Sequence, residues 1–350
     1  MNYFICQDWE NTSKNHAGIK YLCKQIELNH SDECKCYVIP DYISKLTTLR
    51  KKSKFVNKIC FYIAQYQFKF HIRSIIKQLI VLLKDDDKIF LMEYMELLYP
   101  QYNIAKVIKK EKPKVKIYAI VHLIPQRYTK DFSDKLLNKW ITPIDKILTL
   151  GSSLSKYLEE RGVDKTKICT TFHYVDTNYY RKKNNINNKV RPVTVIVMGN
   201  NARNEQLLKE VVDENPYVHF IICQGLSDMS ILFANNNVRL IPFVPEDELR
   251  SLMEESDISL NIMNDTIGSN VIVTSLAMEL AMVVSDVGSI RDYCNDNNTI
   301  FCKNNDIKSF RRAIMFLSTH KEKLTEMKKQ SKLIANKLTI EKFYNEITNI

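Results

Sequence analysis

GSNVIVTSLAMELAMVVSDVGSIRDYC, residues 268–294, is the stretch on which the fold of this chain turns. The sequence has 350 residues and only 7 glycines, and two of them, Gly268 and Gly288, bracket this apolar run. Where glycine is so scarce, each one marks a position that needs φ > 0 or a close approach of backbone. Gly268-Ser269-Asn270 follows the β-rich run DISLNIM and precedes VIVTSLAMELAM. Ser269 or Asn270 can cap the helix that follows. Free N–H groups at such a helix start favour an anion such as a diphosphate, and glycine lets the backbone come close to it. The same three residues also serve as a plain cap. VVS then reads as a short buried strand, and Asp286-Val287-Gly288-Ser289 as a second turn into a helix.

Outward from this stretch the pattern repeats. YFIC, CYVIP, KIFLMEY, KIYAIVHL, DKILTL and KICTTF read as strands, separated by the amphipathic runs IKYLCKQIEL, FHIRSIIKQLIVLL, YNIAKVIKK and SSLSKYLEERG. Strand-helix alternation predicts parallel sheets covered on both faces. RKKNNINNKVRP, residues 181–192, has no hydrophobic period and reads as a linker. After it the alternation restarts with VTVIVMG, ending at Gly199, then NEQLLKEVVDENP, VHFIICQG and VRLIPFVPEDELRSLMEESDISLNIM. Pro245 followed by Glu246 and Asp247 is a favourable helix start, because acids suit the positive end of the helix dipole. The last forty residues read as helical. The expectation is an α/β protein of two Rossmann-like halves facing across a cleft, residues 1–185 and 190–337, with ligands at the carboxyl ends of the strands.

Composition narrows the function. The apolar share of 45% suits a globular protein. The 9 cysteines show no framework; Cys34 and Cys36 form a lone C-x-C, so zinc is not expected and the thiols point to a reducing compartment. No run reaches the ~18 apolar residues of a spanning helix, and MNYFICQDWEN lacks the form of a signal peptide. The expected location is cytoplasmic, peripheral on the inner face of the plasma membrane at most.

The net charge of +11 is concentrated. Between Ile43 and Lys84 there is no acid, while Lys45, Arg50, Lys51, Lys52, Lys54, Lys58, Lys69, Arg73, Lys77 and Lys84 alternate with Phe55, Phe61, Tyr62, Tyr66, Phe68 and Phe70. A solvated helical face and an anionic membrane surface both fit residues 43–84. No nucleic-acid recognition module accompanies them.

SDVGSIRDYC resembles the "SDVGGIPE" segment of retaining glycosyltransferases of family 4, which have the GT-B fold (glycosyl transferases group 1). Residues 147–180, ILTLGSSLSKYLEERGVDKTKICTTFHYVDTNYY, resemble the family's segment leading to "NGVDT..F". VRLIPFVPEDELRSLMEESDISL resembles "V.F.G.V..eeL..ly..aDv", and KLTIEKFYNEI resembles the terminal helix, here 338–350, that crosses back onto the N-terminal domain. The similarity runs in order from about residue 100 to the end.

The resemblance implies transfer of a sugar from a UDP- or GDP-linked donor to a glycan or lipid-linked acceptor, in surface polysaccharide or glycolipid synthesis. It implies retained anomeric configuration, no cofactor and no bound metal. The leaving diphosphate then depends on N–H groups, a helix dipole and basic side chains. By resemblance Gly18, Gly199, Asn204, Gly268, Ser269 and Asn270 bind the donor, and Arg203 binds the diphosphate, with Lys209 one position away from the family's lysine. His122, in AIVHLIP, stands where the family places a histidine near the donor sugar or acceptor hydroxyl. His173 takes the place of the family's Asn as a structural residue, and Asp176 caps that connection. The family's paired glutamates are not kept. Asp265 stands for the first, and with His122 and Arg203 makes the expected catalytic set. The second falls on Ser275 or Leu276, so Thr274 or Ser275 is left to meet the ribose, and Glu279 sits on the wrong turn. Nothing selects a role for Glu93 or Tyr94. The competing reading is a non-catalytic GT-B partner or chaperone of an active transferase. A dinucleotide oxidoreductase is excluded, since no G-x-G-x-x-G follows any strand.

Overall fold

The computed structural model describes residues 1–10, 12–43, 54–98, 100–183, 191–199, 202–225, 227–232 and 234–350. Lys45, Arg50, Lys51, Lys52 and most of the expected linker lie outside the described residues.

The chain divides into two units, Met1–Thr171 with Tyr344–Ile350, and Phe172–Phe343. In the first, strands β1 (Asn2–Asp8), β2 (Cys34–Pro40), β3 (Lys88–Leu91), β4 (Lys116–Val121), β5 (Lys146–Thr149) and β6 (Ile168–Thr170) form one parallel sheet in the order β2-β1-β3-β4-β5-β6. In the second, β7 (Thr194–Val197), β8 (His219–Cys223), β9 (Val238–Ile241), β10 (Ile258–Asn261), β11 (Ala281–Ser285) and β12 (Thr299–Cys302) follow the order β12-β11-β10-β7-β8-β9. Both are doubly wound, which is the expected GT-B architecture. The strands are nearly continuous apolar runs because a parallel sheet is covered on both faces; all of β10 and β11 is buried.

Helices α1 (Ile19–Asn29), α2 (Lys54–Leu82), α3 (Tyr102–Glu111), α4 (Pro125–Asp131), α5 (Asp134–Ile141) and α6 (Ser152–Glu160) belong to the first unit. The second holds α7 (Glu205–Asp213), α8 (Glu246–Glu254), α9 (Asn270–Ala277), the single turn α10 (Ile290–Tyr293), α11 (Ile307–Thr319) and α12 (Lys321–Ala335). α7 is typical: Asn204 caps it by accepting the Leu207 N–H, and Leu207, Leu208, Val211 and Val212 bury one stripe. The last helix, α13 (Ile340–Thr348), begins in the second unit and ends in the first, as expected. Tyr344 stacks on His30 and donates to Glu33, and Lys88 and Tyr118 donate to the carbonyls of Thr348 and Ile350.

Two expectations are revised. The helix expected over 70–83 starts at Lys54 instead. Cys60, Ala64, Phe68, Ile72, Ile75, Ile76 and Leu79 form its buried stripe, but aromatic residues on the opposite face hide the period in its first half. The division between units falls at Thr171, upstream of the 181–192 stretch. Residues 172–183 are tied into the second unit: His173 N–H donates to Tyr293, Tyr180 donates to Glu246, and Val175 bridges to Thr339.

Candidate functional site

β7 lies between β10 on one side and β8 on the other, so the second sheet reverses its winding at β7. Ligands of doubly wound sheets bind outside the strand ends at such a reversal. Two loops meet there. After β7 the chain turns through Gly199, with φ +69, and Ala202, with φ +55, to Arg203. After β10 it runs from Ile262 to Ser269. The loops are laced together: Arg203 and Met263 form an antiparallel bridge, Asn204 N–H donates to the Ile262 carbonyl, and Asn264 N–H donates to that of Ala202. A Cβ at Gly199 would lie 2.8 Å from Val271 Cγ2, so the first loop rests on the first turn of α9.

Arg203 is the most unbalanced group in this region. Its Nη2 donates to the Cys223 carbonyl at 2.9 Å. Nε and Nη1 are buried with no hydrogen-bond partner among the described residues. Burial lowers the pKa of its guanidinium. Donors left unsatisfied in this way cost free energy unless an acceptor reaches them. The start of α9 adds more donors: Ser269 Oγ takes the Ile272 N–H, and the N–H groups of Asn270 and Val271 have no intrahelical acceptor. Asn270 Oδ1 is also buried without a partner among the described residues. A guanidinium with free donors and an open helix start each suit an anion.

The structure explains the two bracketing glycines differently from the sequence. Gly268 has φ +97, and a Cβ there would lie 2.3 Å from Tyr293 Oη and 2.4 Å from Cζ. Its N–H donates to Thr266 Oγ1 at 3.3 Å. Gly268 makes room for the ring of Tyr293, whose hydroxyl accepts the His173 N–H at 2.8 Å. Gly288 has φ +53, and a Cβ there would meet the Thr266 carbonyl and lie 2.4 Å from Asp265 Oδ1. Ser289 N–H donates to the Thr266 carbonyl at 2.7 Å, so the turns at 265–268 and 286–289 lock together.

Other expected donor ligands are engaged by partners of their own within the fold. Ser275 is fully buried, its hydroxyl 2.9 Å from that of Ser259 in β10, because its side of α9 faces the sheet. Thr274 turns its hydroxyl back to the Asn270 carbonyl at 2.6 Å. Neither presents a free hydroxyl to a ribose. Asp265, expected as a catalytic carboxylate, is buried and accepts the Thr266 N–H through the oxygen that rests against Gly288, which binds it into the turn. Asn204 is the cap of α7, with its amide donating to Asn264. Lys209 pairs with Asp213 and Glu279 with Lys332. Gly18, at φ −85, is buried, and its N–H donates to the Asn15 carbonyl; a Cβ would lie 2.5 Å from the Thr12 carbonyl oxygen. It shapes the loop rather than offering an amide. Of the expected set, Gly199, Arg203, Ser269 and Asn270 are gathered around the β7–β10 edge.

In the first unit, His122 follows β4, with Nε2 3.5 Å from Glu96 Oε1. Burial raises the Glu96 carboxyl to about 7. Glu93, at the end of β3, is fully enclosed and accepts the Gln7 N–H and the Trp9 indole N–H, each at 2.7 Å. Burial pushes it up to about 8, while those two hydrogen bonds favour its ionised form and oppose the shift. The sequence reading assigned nothing to Glu93 and missed Glu96. The signal was present as two acids, three residues apart, closing a strand that ends beside His122.

Residues 184–333 match the family model described as glycosyl transferases group 1. A search of curated protein sequences finds no match. Solved structures with the same fold include HepE of Anabaena in complex with UDP, 12% identical, with 100% of this chain and 99% of that chain covered at a TM-score of 0.72. They include sucrose-phosphate synthase of Thermosynechococcus elongatus, 8% identical, covering 100% and 98% at 0.73. They also include the apo form of the lipopolysaccharide outer core galactosyltransferase WaaB, 12% identical, covering 100% and 99% at 0.67. The family match lies within the second unit, and the likeness to these solved structures shows a GT-B fold over the whole chain.

Proposed function

We propose that the chain is a retaining glycosyltransferase of family 4 that uses a UDP- or GDP-linked sugar without a metal ion. One observation carries the donor site: Arg203, on the loop whose Gly199 rests on the first turn of α9, holds two buried guanidinium nitrogens with no partner among the described residues, at the reversal point of the second sheet. The neighbour solved with UDP supports UDP as the first nucleotide to try.

In this reading the bond between the sugar C1 and the diphosphate oxygen breaks, and its electron pair leaves with the nucleoside diphosphate. Arg203 and the N–H groups at Asn270 and Val271 stabilise the charge that grows on the leaving oxygen. These donors are fixed before the reaction by the bridge to Met263 and by the Ser269 cap, so little reorganisation accompanies the charge. The acceptor hydroxyl bonds to C1 on the face the diphosphate leaves, and its proton passes to the departing phosphate oxygen. In the first unit, His122 paired with Glu96 is the group we assign to a sugar hydroxyl.

The acceptor is a glycan or lipid-linked sugar of a surface polysaccharide or glycolipid, reached at the cytoplasmic face of a membrane. α2 supports this. Its outer side exposes Phe55, Ile59, Tyr62, Ile63, Tyr66 and Phe70 together with Lys58, Lys69, Arg73 and Lys77. Basic heads among aromatic bodies suit an anionic interface. Among the described residues no helix is long and apolar enough to cross a membrane.

The test is turnover of a panel of UDP- and GDP-sugars in the presence of a chelator, with the anomeric configuration of the product read by NMR. Donor cleavage with retained configuration is expected. An inverted product, or cleavage that needs an added divalent ion, would defeat the reading.

A further inference from the structure

Three cysteines far apart in sequence meet inside the first unit. Cys6 lies on β1, Cys23 on α1 and Cys36 on β2, and their sulfurs all lie within 4.8 Å of one another. All three are buried, and none is in a disulfide. The topology brings them together: Phe4 pairs with Cys36 across the parallel strands, so Cys6, two residues on, shares that face of the sheet. α1, the crossover between β1 and β2, covers the same face and brings in Cys23.

The geometry fits a ligand. Sulfurs at about 2.3 Å around one ion in a plane are about 4.0 Å apart. Cys6 Sγ and Cys36 Sγ are 3.9 Å apart. The Cys36 N–H donates to Glu27, which itself pairs with Lys24. Among the described residues no histidine or carboxylate joins the three sulfurs, which leaves a closed tetrahedral zinc site one ligand short.

We propose that Cys6, Cys23 and Cys36 form a trigonal site for Cu(I), a soft ion that three sulfurs alone can satisfy. The ion is structural: it ties α1 to β1 and β2, takes no part in sugar transfer and is independent of the glycosyltransferase reading.

The experiment adds Cu(I), without oxygen, to the reduced full-length protein against a chromophoric Cu(I) chelator. One ion per chain is expected to be retained, three of the nine thiols to be protected from alkylation, and the melting temperature to rise. Cys23→Ala and, separately, Cys36→Ala should abolish retention, while Cys60→Ala and Cys294→Ala should keep it. Cys36 is the least enclosed of the three, so its variant is informative if Cys23→Ala does not fold. Loss of the ion to the chelator, retention unchanged in both cluster variants, or tight binding of Zn(II) but not Cu(I) would each overturn the assignment.

Discussion

The ring of Tyr293 lies directly on Gly268: a Cβ on that glycine would fall 2.3 Å from the tyrosine oxygen, and the same hydroxyl accepts the His173 N–H. The glycine thus holds a knot of three segments, 172–174, 265–269 and 290–293. Gly268→Ala should force the ring away and strain a residue at φ +97. A loss of about 2–4 kcal/mol is expected in denaturant unfolding. Tyr293→Phe, which loses only the hydrogen bond, should cost about 1 kcal/mol. Equal stability of Gly268→Ala and the parent would mean that the ring does not rest there.

The same reasoning applies to Gly288, with a harder obstacle. The atoms that a Cβ would meet are backbone atoms of Thr266 and the Asp265 carboxylate, which have less freedom than a tyrosine ring. Gly288→Ala should therefore cost more than Gly268→Ala, and it should weaken nucleotide binding by shifting the loop that leads into Ser269. A smaller loss than for Gly268→Ala, with nucleotide affinity untouched, would contradict this.

Glu96 supplies a pH test. Burial raises its folded pKa from 4.5 to about 7. A group raised on folding contributes its full stability below about pH 4.5, and that contribution is lost as pH climbs to 7. Relative to Glu96→Gln, the parent should lose on the order of 1–3 kcal/mol across that window. If the parent and Glu96→Gln had parallel stability profiles from pH 4.5 to 7, the carboxyl would not be shifted.

The outer face of α2 predicts membrane behaviour. Replacing Lys58, Lys69, Arg73 and Lys77 with Gln should weaken binding to vesicles containing phosphatidylserine by about 1 kcal/mol per residue. Tyr66→Ser with Phe70→Ser should weaken it further without lowering the melting temperature, since both rings are already in solvent. Equal sedimentation with vesicles would make this a solvated face.

Much of the architecture is legible in the sequence because buried parallel strands announce themselves as short apolar runs; KIFL and AMVVS need no partner to be recognised. The helix around residue 60 was not legible, because Tyr62, Tyr66 and Phe70 put apolar residues on the side that faces water. At the site, the sequence marked where glycine is required but not why. Tyr293 lies 25 positions from Gly268 (293 − 268), and only the fold brings its ring onto the glycine. Ser275 looked available for a ribose because sequence does not say which side of a buried helix faces the sheet; Ser259 supplies the answer. The cysteine trio follows no ligand spacing, since its members are joined by strand pairing and a crossover helix.

The most direct test titrates UDP and GDP into the parent protein and Arg203→Ala by calorimetry, with a chelator present. One nucleotide should bind the parent. Arg203→Ala should bind it about 10 to 100 times more weakly, as expected for losing charge-assisted hydrogen bonds, with no loss of stability in the nucleotide-free protein. Equal affinity in both proteins, or no binding of either nucleotide to the parent, would contradict an anion site built on Arg203 and the start of α9.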